Sequence, residues 1–400
     1  MNNETRKETQ VLPKDVRYVG ADDLTLPLFE NQYPVQPMGV SYNSYLILDE
    51  KVAVMDSVDA RAADEWLAKL AHELDGRSPD YLVISHMEPD HSGSILRLAE
   101  KYQEMKLVGN TKTFAMLRQF FGAKAPTDDR LLEVGEGETL PLGAHTLHFM
   151  LAPMVHWPEV MVAYEETEKL LFSTDAFGRF GSLGRTANAP WAPQARRYYY
   201  NIVGKYGAQV QALLKKASAL EIETICPLHG PVLTGGALAE ALRLYDLWSR
   251  WQSEAPEEIL LAHASIHGNT ARAAELLKQK LEAKGARVTL CDLTTTEVSY
   301  AVANAFYCGK LVLACSTYDG GLFPPMEEFL SHLQAKGFRD RSVGLMENGS
   351  WAPAAARLMR AKLEEMKDLR VCGTVVSLRS ALSPASEAQM DALTAELCAK

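Results

Sequence analysis

The chain has 400 residues, of which 47% are hydrophobic and 23% are charged, and its formal net charge is −10. This length favours two or three domains, and the apolar content is too high for an intrinsically disordered chain. An acidic chain without a long basic run is a poor candidate for binding nucleic acid or an anionic membrane surface, so we expect neither partner.

The first residues, 1–10, are polar and contain no apolar core of a secretory signal. No apolar stretch reaches the roughly 18–20 residues that a membrane span needs. The six cysteines are scattered and none lies in a C-x-x-C motif, which argues against a zinc ribbon, a rubredoxin-type iron site or a thioredoxin motif. Free thiols in a reducing compartment are the simplest interpretation, so we expect a cytoplasmic protein.

The first part of the chain predicts strands interrupted by a few helices. Apolar runs at 42–48 and 52–56 flank a polar turn and predict a hairpin. Residues 60–74 have helical spacing, and residues 81–85 form a short apolar strand that ends at His86. Further strands are predicted at 146–150, 160–164, 170–173 and 225–228, followed by a helix at 237–251.

The second part is more regular. Residues 253–258 are polar, contain a proline and predict a linker. Beyond them, five apolar strands each precede a helix-like stretch, which fits a doubly wound parallel sheet. These strands are predicted at 259–265, 287–293, 311–317, 342–346 and 371–378. We therefore predict two domains, 1–254 and 255–400, in an α/β protein.

The hexapeptide His-Met-Glu-Pro-Asp-His follows directly after the strand at 81–85. It contains four potential metal ligands: His86, Glu88, Asp90 and His91. In an extended segment, the first, third and fifth positions project to one side, so three of these side chains can converge. Pro89 and Gly93 predict a loop rather than a helix here. The density of ligand-type residues predicts a metal site.

Three more candidate ligands follow apolar runs beside small or turn-forming residues: His156, Asp175 and His229. Taken singly, a His or Asp at a strand end more often has a structural role than a metal-binding one. Together with the hexapeptide they provide four imidazoles and three carboxylates, enough for two metals that share a bridging carboxylate. Zinc accepts imidazole readily, whereas the anionic Glu88 favours iron, and both metals stay open at this point. A di-iron helix bundle is excluded, because it needs two Glu-x-x-His pairs.

Residues 265–270, Ser-Ile-His-Gly-Asn-Thr, connect a predicted strand to a predicted helix. The backbone N–H groups and the helix dipole of such a loop can hold a phosphate. Helix capping by Asn269 or Thr270 explains this loop equally well when it is considered alone.

Two later loops, 316–321 and 347–351, follow strands of the same predicted sheet. Ligands of open parallel sheets bind at the carboxyl ends of the strands. The two loops carry Tyr318 and Trp351, which suit a flat ring system that bears a phosphate. Trp351 could alternatively be a core residue at a helix start.

With both groups of residues in place, the chain resembles the flavodiiron proteins (A-type flavoproteins) from about residue 15 onward. The resemblance implies an N-terminal metallo-β-lactamase-like αββα sandwich and a C-terminal flavodoxin-like doubly wound sheet. It implies two irons, the first held by His86, Glu88 and His156, the second by Asp90, His91 and His229, with Asp175 as the bridge. Relatives often bring a further histidine near the irons from the N-terminal region, but residues 28–33 contain none.

The same resemblance implies FMN in the C-terminal domain. The implied contacts are Ser265, His267, Gly268, Asn269 and Thr270 in the first loop, Thr317, Tyr318, Asp319 and Gly320 in the second, and Asn348, Gly349, Ser350 and Trp351 in the third. The chain departs from the family pattern at three places. Asp319 stands where Asn is common, His267 where simpler flavodoxins have Thr, and the third loop reads Asn-Gly-Ser-Trp instead of Ser-Tyr-Gly-Trp.

The implied function is an oxidoreductase that reduces dioxygen to water, nitric oxide to nitrous oxide, or both, with electrons delivered through FMN. The implied partners are a separate electron donor, either a rubredoxin or a flavin- or NADH-linked reductase, and further copies of the chain in a head-to-tail homodimer or homotetramer. The main alternative is a zinc-dependent hydrolase with an appended flavodoxin module. A third hypothesis is a non-enzymatic electron carrier that uses only the flavin domain. It would leave the pattern of seven metal ligands as a coincidence.

Overall fold

A computed structural model describes residues 12–399, so the polar segment 1–10 lies outside the described residues. The chain divides into two compact units, Met1–Asp246 and Leu247–Lys400. The domain boundary after residue 254 stays a prediction. Among residues 12–399, no helix combines the length and the apolar character that a membrane span requires.

The first unit contains two six-stranded sheets. One has the order β1-β6-β7-β8-β9-β10, where the strands are β1 (Val16–Tyr18), β6 (Tyr45–Leu48), β7 (Val52–Met55), β8 (Tyr81–Val83), β9 (Lys106–Gly109) and β10 (Leu131–Glu133). The other runs from β11 to β16 in sequence order, where the strands are β11 (Thr139–Pro141), β12 (Thr146–Leu151), β13 (Met161–Glu165), β14 (Leu170–Phe172), β15 (Thr224–Cys226) and β16 (Leu233–Thr234). Two small hairpin-like pairs are β2 (Ala21–Asp23) with β5 (Val40–Tyr42), and β3 (Leu28–Phe29) with β4 (Tyr33–Pro34).

The core of this unit lies between the two large sheets. Ile47 and Val83 of the first sheet and Phe149 and Phe172 of the second belong to one fully buried apolar cluster. This arrangement, with helices on the outside, is the expected metallo-β-lactamase-like sandwich. The helices are α1 (Ala63–Leu74), α2 (Pro89–Ser92), α3 (Ile95–Lys101), α4 (Thr111–Phe121), α5 (Leu183–Thr186), α6 (Trp191–Tyr198), α7 (Gly207–Ala217) and α8 (Gly235–Ser249).

The predicted loop after His86 is wrong in part. Residues Pro89–Ser92 form the single helical turn α2, with Pro89 at its first position. Proline is tolerated there because the first N–H of a helix has no partner within the helix. The turn redirects Asp90 and His91 away from the extended segment, so the argument that His86, Glu88 and Asp90 all project to one side does not hold for Asp90.

The second unit is a five-stranded parallel sheet in the order β18-β17-β19-β21-β22, which is the flavodoxin-like order. Its strands are β17 (Ala255–Ala264), β18 (Val288–Asp292), β19 (Cys308–Tyr318), β21 (Arg341–Asn348) and β22 (Leu369–Leu378), with the short β20 (Gly321–Leu322) paired to β19. Its helices are α9 (Asn269–Ala283), α10 (Val298–Tyr307), α11 (Pro324–Ala335), α12 (Ala355–Glu364) and α13 (Pro384–Cys398). The five predicted strands and the parallel sheet are confirmed.

The predicted linker is wrong over residues 255–258, which belong to β17. An irregularity of register between Ala255 and Ile259 accommodates the proline in the strand. The two glutamates that made the segment look like a linker both form ion pairs: the exposed Glu257 pairs with Lys310 at 3.0 Å, and the partly buried Glu258 pairs with Arg287 at 2.8 Å.

Candidate metal centre and cofactor loops

The seven predicted ligands lie in loops that the two sheets of the first unit place together. Strands β14 and β15 are parallel, so the loops that carry Asp175 and His229 leave the sheet at the same edge. Strand β13 is antiparallel to β14, so the turn before it, which carries His156, lies at that edge too. The remaining four ligands follow β8 of the other sheet, in the segment 86–91.

The structure brings these seven side chains together as two groups of possible metal ligands: His86, Glu88, His156 and Asp175 in the first, and Asp90, His91 and His229 in the second. Five of the seven are buried, and only Glu88 and Asp90 keep an intermediate exposure of their side chains, 14% and 12%.

Asp175 lies between the two groups. Its Oδ2 atom is 3.2 Å from the Nε2 atoms of both His86 and His156. Its Oδ1 atom is 3.3 Å from His91 Nε2 and 3.4 Å from His229 Nε2. Each carboxylate oxygen therefore faces one group, which is the geometry of a bridging ligand.

The other two carboxylates each serve one group. Glu88 Oε2 lies 3.3 Å from His86 Nε2 and 3.1 Å from His156 Nε2. In the second group, Asp90 Oδ2 lies 3.3 Å from the Nε2 atom of His91 and 3.2 Å from that of His229. Each group thus combines two imidazoles with one carboxylate of its own and one oxygen of the shared carboxylate.

Several buried oxygen and nitrogen atoms of the site are arranged as ligands for metal cations. The carboxylate oxygens of Asp90 and Asp175 are buried and have no hydrogen-bond partner among the described residues. The Nε2 atoms of His91 and His229 face each other at 3.1 Å. Buried carboxylate oxygens without donors are costly unless a cation neutralises them. The mixed imidazole and carboxylate set suits iron as well as zinc, so the donor chemistry fits the two-metal site that the resemblance implies.

Burial and neighbouring charges act in opposite directions on the pKa values of the ligand residues. Burial alone would lower the pKa of His156, but Asp175 and Glu88 outweigh it and raise that pKa to about 9. Burial likewise opposes the protonated form of His86, and Asp175 and Glu159 nevertheless raise its pKa. Burial would raise the pKa values of Glu88 and Asp175, yet the facing imidazoles lower both. The facing imidazoles and carboxylates of these residues therefore stabilise each other's charged forms.

Sequence reasoning missed the groups that orient the ligands. His86 Nδ1 lies 2.7 Å from the carboxylate of Glu159, which is 1% exposed and also accepts a bond from the Met87 N–H. His229 Nδ1 donates to the backbone carbonyl of Ser41 at 2.7 Å. Such partners fix the imidazole tautomer and leave Nε2 free to bind a metal. An acidic residue in the apolar turn just after His156 was the one available signal for Glu159.

A cleft of about 600 Å³ opens beside the ligands. Its lining includes Glu88 and Asp90 and, from the N-terminal hairpin, Glu30 and Asn31. The stretch 28–33, which has no histidine, thus brings a carboxylate to the cleft, and no feature of the sequence singled it out. Glu30 is exposed at the mouth of the cleft. Partial desolvation by the cleft walls and the nearby carboxylates, Glu88 first, nevertheless raise its pKa to about 7.

In the second unit, the three predicted cofactor loops follow β17, β19 and β21, which are neighbours in the sheet. Helix α9 begins at Asn269, and its N-cap is Gly268, at a φ of +85°, without any side-chain capping bond. The capping interpretation of Asn269 and Thr270 is therefore wrong. Thr270 instead contacts the Ser316 hydroxyl at 2.9 Å. The loop leaves the helix N-terminus open toward the side where an anion would lie.

The remaining residues of the loops divide into exposed and structural ones. Tyr318 and Trp351 are 46% and 86% exposed, so the alternative of a buried Trp351 is wrong. His267, Asp319, Gly320 and Ser350 are exposed as well. Three predicted contacts already have structural partners: Thr317 accepts bonds from the Ala354 and Ala355 N–H groups, Asn348 bonds Ser380, and Gly349 packs so closely on Pro353 that a Cβ would lie 2.6 Å from it.

The chain is similar in sequence and in fold to known proteins. The family described as "ODP family beta lactamase" matches residues 40–230. The anaerobic nitric oxide reductase flavorubredoxin of Vibrio vulnificus is 26% identical, over 94% of this chain and 76% of that protein. The solved structure of rubredoxin oxygen:oxidoreductase from Desulfovibrio gigas is 25% identical, with a TM-score of 0.90 over 98% of both chains. The flavodiiron protein from Giardia intestinalis shares the fold, with 24% identity and a TM-score of 0.88 over 98% of both chains.

Proposed function

Since the chain belongs to the flavodiiron proteins, we propose that it is an oxidoreductase that reduces dioxygen to water, nitric oxide to nitrous oxide, or both, at a non-haem di-iron centre. The electrons would reach this centre from FMN held by the second unit. The zinc hydrolase is the less favoured alternative, because the similarity to named oxidoreductases extends over nearly the whole chain.

One observation carries the proposal: the carboxylate of Asp175 faces two pairs of imidazoles, one pair on each oxygen. We propose that His86, Glu88 and His156 would hold one iron and that Asp90, His91 and His229 would hold the other, with Asp175 shared between them. When bound, these irons would supply the redox chemistry of gas reduction.

The residues around the ligands determine which atoms are available. Glu159 and the Ser41 carbonyl accept hydrogen bonds from the Nδ1–H groups of His86 and His229, so each ring presents Nε2 to the centre. The three carboxylates favour positive charge in the pocket and would stabilise the more oxidised state of a redox metal. The cleft beside Glu88 and Asp90 gives a small gas a path to the ligands.

For FMN, we propose that the open N-terminus of α9 holds the phosphate and that Tyr318 and Trp351 flank the ring. The uncapped Gly268 and the exposure of both aromatic side chains support this assignment. Ser265, His267, Asn269 and Thr270 complete the phosphate loop, and Thr317, Asp319, Gly320, Asn348, Gly349 and Ser350 shape the two loops around the ring.

We also propose that the active form is a head-to-tail homodimer or homotetramer and that electrons come from a separate donor, a rubredoxin or a flavin- or NADH-linked reductase. The resemblance to flavodiiron proteins supports both proposals. A cytoplasmic location fits the same reducing chemistry.

The decisive experiment compares the wild type with Asp175→Ala after anaerobic loading with ferrous iron and FMN. We expect the wild type to bind two irons and consume dioxygen or nitric oxide when a chemically reduced donor is supplied. The variant should lose gas reduction and keep its FMN, because Asp175 and the FMN loops belong to different units. Two bound zinc ions with ester hydrolysis, and no gas consumption by the iron-loaded protein, would instead establish the hydrolase.

A further inference from the structure

We propose that Glu30 is the proton donor of the cleft: its carboxyl gives a proton to an oxygen atom of the bound substrate and is reprotonated by solvent at the cleft mouth. The inference rests on the proposed function, because those reactions consume protons. Each dioxygen takes up four electrons and four protons to give two waters, and two nitric oxides take up two electrons and two protons to give nitrous oxide and water. The bound cofactors of the proposed function would supply the electrons, and Glu30 supplies only protons.

The position of Glu30 carries the proposal. Its side chain lines the same cleft as the ligands Glu88 and Asp90, and the residue is also exposed to solvent. The preceding residue, Phe29, packs edge-on against the ring of His229, with ring centroids 5.3 Å apart. One carboxyl group thus borders both the solvent and the ligand cluster, which is what a proton carrier requires.

The backbone at Glu30 has an energetically unfavourable conformation. Glu30 and Asn31 are consecutive residues with φ values of +50° and +53°, a region that glycine and asparagine tolerate and glutamate rarely adopts. The turn is closed by a bond from the Gln32 N–H to the Phe29 carbonyl at 3.0 Å. Beyond it, the Tyr33 hydroxyl donates to the Asn201 carbonyl at 3.0 Å. Strained backbone that the surroundings enforce is concentrated at functional sites.

The other polar groups of the cleft are poorer proton donors. Asp59 accepts bonds from the Arg61 guanidinium at 3.1 and 3.2 Å, and Arg61 also donates to the Tyr42 hydroxyl at 3.0 Å. Burial raises the pKa of Tyr42 far above its ordinary value, so the phenol keeps its proton. Asn31 has no acidic proton to give. Among the described residues that line the cleft outside the ligand set, Glu30 is the carboxyl that forms no salt bridge, whereas Asp59 pairs with Arg61.

The charged groups that face Glu30 are the ligands Glu88, His156, Asp90 and Asp175. Cations bound by these ligands would add positive charge on the same side. The experiment therefore measures the protonation of Glu30 in the loaded protein.

The test compares Glu30→Gln with the wild type, both loaded with iron and FMN. The substitution keeps the shape of the side chain and the backbone at this position but removes the proton. Glu50→Gln is the matched control, because Glu50 is an exposed glutamate in the β6–β7 turn, at the end of those strands away from the ligands. Glu30→Asp tests rescue, since it restores a carboxyl that reaches less far.

We expect Glu30→Gln to keep its iron and FMN and to lose turnover by about 10²-fold, the lower range for a general acid. The wild-type rate should fall as the pH rises through the pKa of Glu30, and this dependence should vanish in the variant. Glu30→Asp should recover part of the rate, and Glu50→Gln should match the wild type. In infrared difference spectra between acid and alkaline pH, the carboxyl band of Glu30 should be missing from Glu30→Gln alone.

Turnover of Glu30→Gln within about twofold of the wild type would overturn the proposal, since a general acid contributes far more. Loss of iron from that variant would overturn it as well, because Glu30 would then hold the ligands in place. If the wild type itself reduces neither gas, the proposed function fails first. That outcome is distinct, because it leaves all four proteins equally inactive.

Discussion

Removing the carboxylate of Glu159 should weaken one metal position and spare the other. A single oxygen of Glu159 accepts both the His86 Nδ1–H, at 2.7 Å, and the Met87 N–H, at 2.9 Å. A hydrogen bond to a charged group contributes about 1.5–3 kcal/mol, which corresponds to about 10–100-fold in metal affinity. Glu159→Ala loses both bonds and should reach about 100-fold, whereas Glu159→Gln keeps an oxygen acceptor, loses only the charge and should stay near 10-fold.

The assay is an anaerobic titration with ferrous iron against a competing chelator, which resolves a strong and a weakened position. The control is Glu165→Ala, because Glu165 is an equally buried glutamate that faces a histidine, His145, at 3.1 Å away from the ligands. It should lower the stability of the fold and leave both iron affinities unchanged. Wild-type affinity at both positions in Glu159→Ala, or an equal loss in Glu165→Ala, would refute the reasoning.

Three further predictions concern stability. Trp66 is fully buried in α1, so Trp66→Ala should lower the free energy of unfolding by about 3–5 kcal/mol in a denaturant titration. Ser383 caps α13 through the Ser386 N–H at 3.2 Å, and Ser383→Ala should cost about 1 kcal/mol in the same measurement, with Ser383→Asp close to the wild type. The raised pKa of His156 contributes stability that is complete below its ordinary value of 6.5 and is lost as the pH rises through about 9. The melting temperature of the metal-free protein should therefore fall over that interval, and His156→Gln should remove this part of the fall.

Local patterns were sufficient to predict much of this protein. Strand and helix periodicity predicted the parallel sheet of the second unit, because each strand there is a continuous apolar run between turn residues. The hexapeptide indicated the metal site because ligand-type residues are rarely so dense. The errors were local as well. A proline taken as a loop signal starts the helical turn Pro89–Ser92. Glu257 and Glu258, taken as linker residues, lie on a strand and pair with Lys310 and Arg287.

What the sequence could not reveal depends on distant parts of the chain meeting in space. Glu159 reaches His86 across 73 positions, and the Ser41 carbonyl reaches His229 across 188. A backbone carbonyl leaves no trace in the residue type that carries it. Glu30 comes to the cleft through a turn whose left-handed residues are Glu and Asn rather than the glycine that would have marked it.

The origin of the ligands in two different sheets has a consequence for the lifetime of the chain. His86 and Asp90 follow a strand of one sheet, whereas His156, Asp175 and His229 follow strands of the other. Metal ions bound by ligands from both sheets would connect the two sheets, and unfolding must release these ions. Free metal at a hundred times the dissociation constant adds about 2.7 kcal/mol against opening. We expect removal of the metal by a chelator to make the protein more sensitive to proteases. A shortage of iron should therefore shorten the half-life of the protein.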